Sequence, residues 1–433
     1  MFFQNIGRNY RSMKKALQLV LISSCLLVTG CTGESASNNT YEEVVQEVIS
    51  TDDSVKVLTK DLIGINDDGS YLVQVEVKVG DDVENLYQIY CRIDQNGAIL
   101  NTYEDIEAMT CFTNGQSIAS VKKVNPASNS DEEVNLYGLM SPSGEWLVEP
   151  QYNSIECLNK NFYKVASEKF DDFGSLGYDY RVINNKGNLV LEMVEDDTLF
   201  LNETTDFIYY KDKIYTYEGE SFTSDLDLGQ EYYDEIYREG YYVVKALDTD
   251  IEYYVSGDGS VQTNENQDVE FMNPSKNTYW KWHEEIDGYV YYVNDVETAV
   301  QGSSAPVIPD EHDRIIFSNQ NGEYSIALTD GTLVTEKLYK DIQPFNSAGY
   351  ALARQLREDQ SGGYWVVLDT NGKEVITAEA KIVEAELYMP QVGIRDEAGN
   401  EQYKLLNLYT LELVDEEQLM INFVQTLESQ YKR

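Results

Sequence analysis

Residues 137–155 read YGLMSPSGEWLVEPQYNSI, a Pro-Ser-Gly turn between two apolar runs, closed by a proline ahead of a tyrosine. Read alone, the stretch is one hairpin. Laid on the rest of the chain, it is one copy of a repeated unit. An aromatic residue stands seven positions before a turn glycine at Tyr90 and Gly97, Tyr137 and Gly144, Tyr180 and Gly187, Tyr324 and Gly331, and Trp365 and Gly372. The turns read DQNG, SPSG, NNKG, LTDG and DTNG. Asn-Gly and Asp-Gly favour the left-handed backbone of tight hairpins, so each mark implies strand, turn and strand. A second mark follows, as YEDI from Tyr103, YNSI from Tyr152, YDEI from Tyr233 and YKDI from Tyr339. In the two best copies the register agrees throughout: Tyr137, Gly144, Tyr152 and Ile155 have the offsets of Tyr324, Gly331, Tyr339 and Ile342.

A further apolar run completes the unit, as QSIASVK from Gln116, NFYKVAS from Asn161, GYYVVKA from Gly240 and GYALARQ from Gly349. Four short strands in roughly 40 to 50 residues is the size and strand count of a propeller blade. Drifted copies begin near Tyr71, Lys213, Tyr253, Gly288 and Tyr403. The expected fold class is all-β: a repeat array of four-stranded antiparallel units, a β-propeller of about seven or eight blades with short terminal helices. Composition agrees. The chain holds 34 Tyr, 13 Phe and 4 Trp against 8 Pro, and aromatic residues suit a pleated, half-buried surface.

The unit resembles the bacterial WG-repeat family, which runs Trp-Gly-Leu-Ile-Asp, a turn glycine, a Val-Ile-Pro-like strand and then Tyr-Asp-x-Ile. Tyr137-Gly138-Leu139 stands where that family has its aromatic-glycine pair, and Val148-Glu149-Pro150 precedes Tyr152. Gly138 is the only glycine directly after the first aromatic, so the naming motif is eroded while turns and aromatics persist. The resemblance implies a β-repeat architecture used for binding or scaffolding, and it carries no catalytic residues to this chain.

The N-terminus supplies an address. Residues 13–31 read MKKALQLVLISSCLLVTGC, two lysines, a short apolar run and small residues before a cysteine. This is the layout of a secretory signal, too short to span a bilayer comfortably. Val28-Thr29-Gly30-Cys31 resembles a lipoprotein lipobox, which implies a diacylated Cys31 as the first residue after cleavage. Two acyl chains suffice for stable anchoring. The expected division is a signal peptide at 1–30, lipidated Cys31 with a polar tether at 31–40, the repeat domain at 41–415 and a helix at 416–433. The helical spacing of Leu419, Phe423 and Leu427 supports the last, and a similar spacing from Thr40 predicts a short helix before the repeats. With Cys25 lost and Cys31 lipidated, Cys91, Cys111 and Cys157 remain. A Cys91–Cys111 disulfide and three buried thiols both stay open.

Lys and Arg total 32 against 76 Asp and Glu, a net charge of -44. Such a chain repels phosphate backbones, so nucleic acid is excluded as a partner. Asp94 and Asp369 echo the start of a calcium loop but lack its alternating oxygens and closing glutamate, and are read as turn residues. His283 and His312 have no metal-binding spacing. No phosphate-cradling glycine loop, dinucleotide fingerprint or nucleophile elbow occurs, so no metal, cofactor or catalytic residue is assigned. One stretch departs from the repeat: NTYWKWHEEIDGYVYYV, residues 277–293. Exposed aromatic faces stack on sugar rings or anchor protein partners, which makes Tyr279, Trp280 and Trp282 the candidate ligand contacts. Period-two alternation also puts Trp280 and Trp282 on one strand face, where aromatics form core.

Together these features predict a lipid-anchored protein on the extracytoplasmic face of a cell membrane, a non-catalytic binding or scaffold module for a protein or cell-wall glycan. The alternative is a surface enzyme acting on glycans or peptides through acidic loop residues. An enzyme would gather polar insertions at one rim, for which residues 123–134 and 294–313 are the long candidates.

Overall fold

A computed structural model of the chain describes residues 55–431 apart from 80–85, 126–132, 172–173, 195–198, 200, 202–205, 212, 224–231, 239, 247–250, 267, 305–308, 311, 357–362, 377–380, 385–389 and 396–400. The signal, Cys31, the tether and the short helix expected from Thr40 lie outside the described residues.

The stretch at 137–155 is a hairpin inside a larger unit. Strand Glu133–Met140 pairs with Trp146–Tyr152, setting Tyr137 opposite Tyr152 and Leu139 opposite Val148. The turn closes where Gly144 N–H donates to Ser141 O at 2.9 Å, with Gly144 at φ 85. Strands Ala108–Met109 and Ser117–Val124 complete an antiparallel sheet of four in sequence order. That meander recurs along the chain. Four-stranded sheets span residues 55–103, 108–152, 154–193, 232–264 and 269–302; a three-stranded sheet spans 207–223 and a two-stranded sheet 314–328. The final seven-stranded sheet is two units run together, joined through the Trp365–Ile382 pairing. These are propeller blades, and the fold is the all-β, four-stranded repeat class that the sequence predicts.

The chain divides into two compact units. Among the described residues one holds 55–63, 71–105 and 417–431; in it the helix Glu416–Tyr431, here α1, lies over the Gly97 turn, and Leu419, Phe423 and Leu427 are buried. The other holds 64–70 and 106–416. Among the described residues no helix is long and apolar enough to cross a membrane.

Three of the turns share one device. An Asp or Asn at the first turn position accepts the backbone N–H groups two and four residues on: Asp94 from Asn96 and Ala98, both at 2.8 Å; Asn184 from Lys186 and Asn188, both at 3.0 Å; Asp369 from Asn371 at 2.9 Å and Lys373 at 3.0 Å. A short side-chain oxygen is suited to this local bond. It also shows what Asp94 and Asp369 do: they hold turns.

Side-chain amides carry the device from one unit to the next. Asn184 Nδ2 donates to Tyr217 O at 3.0 Å, Asn346 Nδ2 to Leu408 O at 3.1 Å, and Asn407 Nδ2 to Gly69 O at 2.8 Å. Packing follows the same order, each core cluster drawing on two consecutive sheets. Leu139, Val148 and Tyr152 meet Tyr163, Val165 and Ile183; Phe162, Val182 and Leu191 meet Ile208 and Tyr210; Met272, Trp280, Tyr291 and Val300 meet Ile315, Phe317 and Ala327. Each fully buried large apolar side chain is worth about 1.5–3 kcal/mol.

Two expectations change. Most of residues 294–302 is not a rim insertion. Asn294 and Asp295, at φ 52 and 62, make a tight hairpin turn, and Val296–Gly302 is the last strand of its sheet with Val300 buried. Cys91, Cys111 and Cys157 are free thiols. Cys91 is fully buried and Cys111 partly so, each with its thiol pushed up by burial, Cys111 to about 11, while Cys157 is exposed.

Candidate functional site

The aromatic stretch forms the sheet of residues 269–302. Asn273 ends its first strand, Val269–Asn273, its Oδ1 accepting Lys276 N–H at 3.1 Å to cap a single 3-10 turn, Pro274–Lys276. Asn277, left-handed at φ 47, ends that turn and feeds strand Thr278–His283. This strand pairs with Gly288–Val293 and sets Tyr279 opposite Tyr292, Trp280 opposite Tyr291 and Trp282 opposite Tyr289.

Alternation sorts the rings onto two faces. On one, Trp280 is 1% exposed, packed on Tyr291 at 4.9 Å and Phe317 at 6.3 Å. Its indole is core and closed to a ligand. Trp282, half-buried on the same face, meets Tyr289 edge-on at 5.2 Å, and Tyr289 O–H donates to Glu270 Oε1 at 2.7 Å.

The other face carries a shelf of half-buried rings. Tyr279 and Tyr292 stack at 5.1 Å with planes 4° apart, and His283 lies parallel to Tyr292 at 6.0 Å. Tyr279 O–H donates to Asp295 Oδ1 at 3.2 Å, and Asn277 Nδ2 donates to Asp295 Oδ2 at 3.2 Å. Tyr292 O–H donates to Glu297 Oε2 at 3.2 Å and lies 3.0 Å from His283 Nε2. With the phenol proton given to Glu297, the ring N–H of His283 donates to the Tyr292 oxygen. Burial first, then the neighbouring carboxylate, raises both phenols above the usual tyrosine range. The two phenols are therefore neutral, oriented, and bordered by acceptors. Such a surface offers aromatic edges and faces for apolar ring contact beside carboxylates for hydroxyl or amide donors.

Of the residues singled out from the sequence, Tyr279 belongs to this shelf, Trp282 lies on the opposite face and Trp280 is inside. Cys31 lies outside the described residues. Sequence reading missed Tyr292, Asp295 and Glu297. The Asn294-Asp295 turn was their signal, because it folds Glu297 back opposite Tyr292. Among the described residues no group of three or more His, Cys, Asp or Glu is placed to hold a metal ion.

Comparison with known proteins agrees with the repeat. Residues 137–167 match the sequence model of the family described as "WG containing repeat". No curated protein matches the chain. Among solved structures, a eukaryotic initiation factor is similar at 9% identity and a TM-score of 0.34, covering 80% of this chain and 97% of that one. The acylaminoacyl peptidase of Pyrococcus horikoshii is similar at 12% identity and a TM-score of 0.29, covering 77% of this chain and 49% of that one, so this chain spans about half its length. A Bacteroides caccae protein of unknown function is similar at 12% identity and a TM-score of 0.19, with 66% and 88% covered. These likenesses carry nothing about activity. A WG-containing repeat within a propeller fold fits a binding or scaffold module.

Proposed function

We propose that the protein is a lipid-anchored cell-surface binding module, held to the membrane through Cys31 and engaging a cell-wall glycan or envelope protein through its repeats. The observation that carries the reading is the shelf of Tyr279, Tyr292 and His283 with Asp295 and Glu297 at its border. Three neighbouring rings with their polar tips engaged lose little freedom when a ligand docks, which favours binding. The lipobox at residues 28–31 and the polar tether after it support the address, two acyl chains being enough for stable anchoring.

The address is tested by labelling cells that express the full chain with a radioactive fatty acid. Label on the wild type and none on Cys31→Ser supports the anchor, and an unlabelled wild type removes it. Binding is tested by passing solubilised envelope proteins and cell-wall glycans over the part from residue 32 on. Retention lost in Tyr279→Ala/Tyr292→Ala supports the shelf, and retention unchanged in that variant contradicts it.

A further inference from the structure

The first strand of the repeats, Val55–Ile65, is an edge of its four-stranded sheet and is open on both faces. Leu58 is 43% exposed and Ile63 36%, with Lys56, Thr59, Lys60 and Asp61 exposed beside them. Its neighbour Tyr71–Val79, by contrast, buries Val73, Val75 and Val77. Alternate residues of a strand share a face. Lys56, Leu58, Lys60 and half-buried Leu62 therefore lie in one row, two leucines among two lysines with no carboxylate, while Thr59, Asp61 and Ile63 lie on the opposite face. Apolar residues exposed on an edge strand make a docking surface.

The sequence just ahead of the strand supplies an occupant. Residues 40–50, TYEEVVQEVIS, lie outside the described residues. At the helical period, Tyr41, Val44, Val45, Val48 and Ile49 form one stripe, bordered by Glu42 and Glu47. Thr40 followed by Glu43 is the capping-box signature of a helix start. The segment carries Glu42, Glu43 and Glu47 and no basic residue, so its charge complements the row of Lys56 and Lys60 and opposes the face of Asp61. Lengths agree as well. The stripe from Tyr41 to Ile49 spans about 12 Å as a helix, and Leu58 to Leu62 spans about 13 Å as a strand. Residues 51–54 are a connection of the short length that joins a helix to the strand it packs on.

We propose that residues 40–50 form an amphipathic helix seated on the first strand, with its apolar stripe over Leu58 and Leu62 and its bordering glutamates beside Lys56 and Lys60. A second copy is the poorer occupant, because two chains of net charge -44 repel one another. One consequence rests on the Cys31 anchor: the seat shortens the tether to the membrane, since a coil of residues 32–39 reaches about 16 Å and one of residues 32–54 about 26 Å. The seat itself stands whether or not the chain is lipidated, and whether or not the aromatic shelf takes a ligand.

The test is hydrogen exchange read by mass spectrometry on the full chain in detergent. Amides of residues 44–50 should exchange at least about tenfold more slowly than those of a free peptide of the same sequence. Leu58→Glu on the strand and Val45→Glu/Val48→Glu on the segment should each remove that protection, and Lys56→Glu/Lys60→Glu should reduce it. Strand Tyr71–Val79 should stay protected in every variant, which excludes misfolding as the cause. Wild-type amides exchanging at the free-peptide rate would overturn the helix. Full protection in a folded Leu58→Glu variant, or unchanged protection in Lys56→Glu/Lys60→Glu, would overturn the seat. Protection that rises with protein concentration would assign the surface to a second copy and overturn the proposal.

Discussion

Asn407 and Gly69 stand 338 residues apart in sequence, yet the side-chain amide of the one donates to the carbonyl of the other at 2.8 Å. Asn407 is fully buried, and its Oδ1 also accepts Tyr409 N–H at 3.0 Å and Thr410 N–H at 3.3 Å. One residue thus shapes the last hairpin turn of the larger unit and ties it to the first. Asn407→Ala removes the donor to the buried Gly69 carbonyl, which costs about 1–3 kcal/mol. Chemical denaturation should show a loss in that range, and Asn407→Asp, which keeps the acceptor and removes the donor, should also destabilise. Wild-type stability in Asn407→Ala would contradict the tie.

Gly138, the glycine of the WG-like pair, is required for a different reason from the turn glycines. A Cβ there would collide with the backbone of the paired strand, at Val148 O and Pro150 N, where the pairing shifts register. At Gly115, φ 70, the space is open. Gly115→Ala should cost about 1 kcal/mol through its backbone alone, while Gly138→Ala must move a strand and cost about 1–3 kcal/mol or more. Melting curves of the two variants should differ in that order, and the reverse order would show that backbone freedom governs both.

The hairpins and the repeat were legible because they rest on local chemistry: Gly97, Gly187 and Gly372 take positive φ three residues after Asp94, Asn184 and Asp369. The ties between units were not legible. Nothing in the letters distinguishes Asn407, which reaches a carbonyl 338 residues away, from an ordinary turn asparagine. The site was half legible for the same reason. Period two identifies which residues share a strand face, but the sheet packed against that face decides whether it is core, as Phe317 does for Trp280.

The three cysteines should separate by accessibility. Cys157 is exposed, Cys111 is partly buried with its thiol pushed up to about 11, and Cys91 is fully buried with its thiol raised further by burial and by Glu104. Thiolate is the reactive form. Mass spectrometry after brief alkylation at pH 8 should find Cys157 modified first and Cys91 protected until the chain is unfolded. Early modification of Cys91 would contradict its burial.

Asp310 sets a pH dependence. Its Oδ1 accepts His312 N–H at 2.9 Å and Arg314 N–H at 2.7 Å, while its buried Oδ2 has no hydrogen-bond partner among the described residues. Burial raises the carboxyl above the usual range, opposed by those two N–H groups and by the charges of His312 and Arg314. A raised folded pKa means the contribution is complete below the unfolded value, about 4, and is lost as pH rises through the folded one. Relative to wild type, Asp310→Asn should therefore be most favourable at neutral pH, with its advantage shrinking as pH falls. Thermal melts at pH 7 and pH 4 read this difference, and an advantage that grows on acidification would reverse the sign.

The most direct measurement of the proposed function compares two substitutions in one sheet. Trp280→Ala removes core and should cost about 3–5 kcal/mol in stability, whereas Tyr279→Ala/Tyr292→Ala trims half-buried rings and should leave a folded chain. With binding to envelope components measured for each, the tyrosine variant should melt near wild type and retain no ligand. A folded tyrosine variant that still captures its ligand at full strength would contradict it.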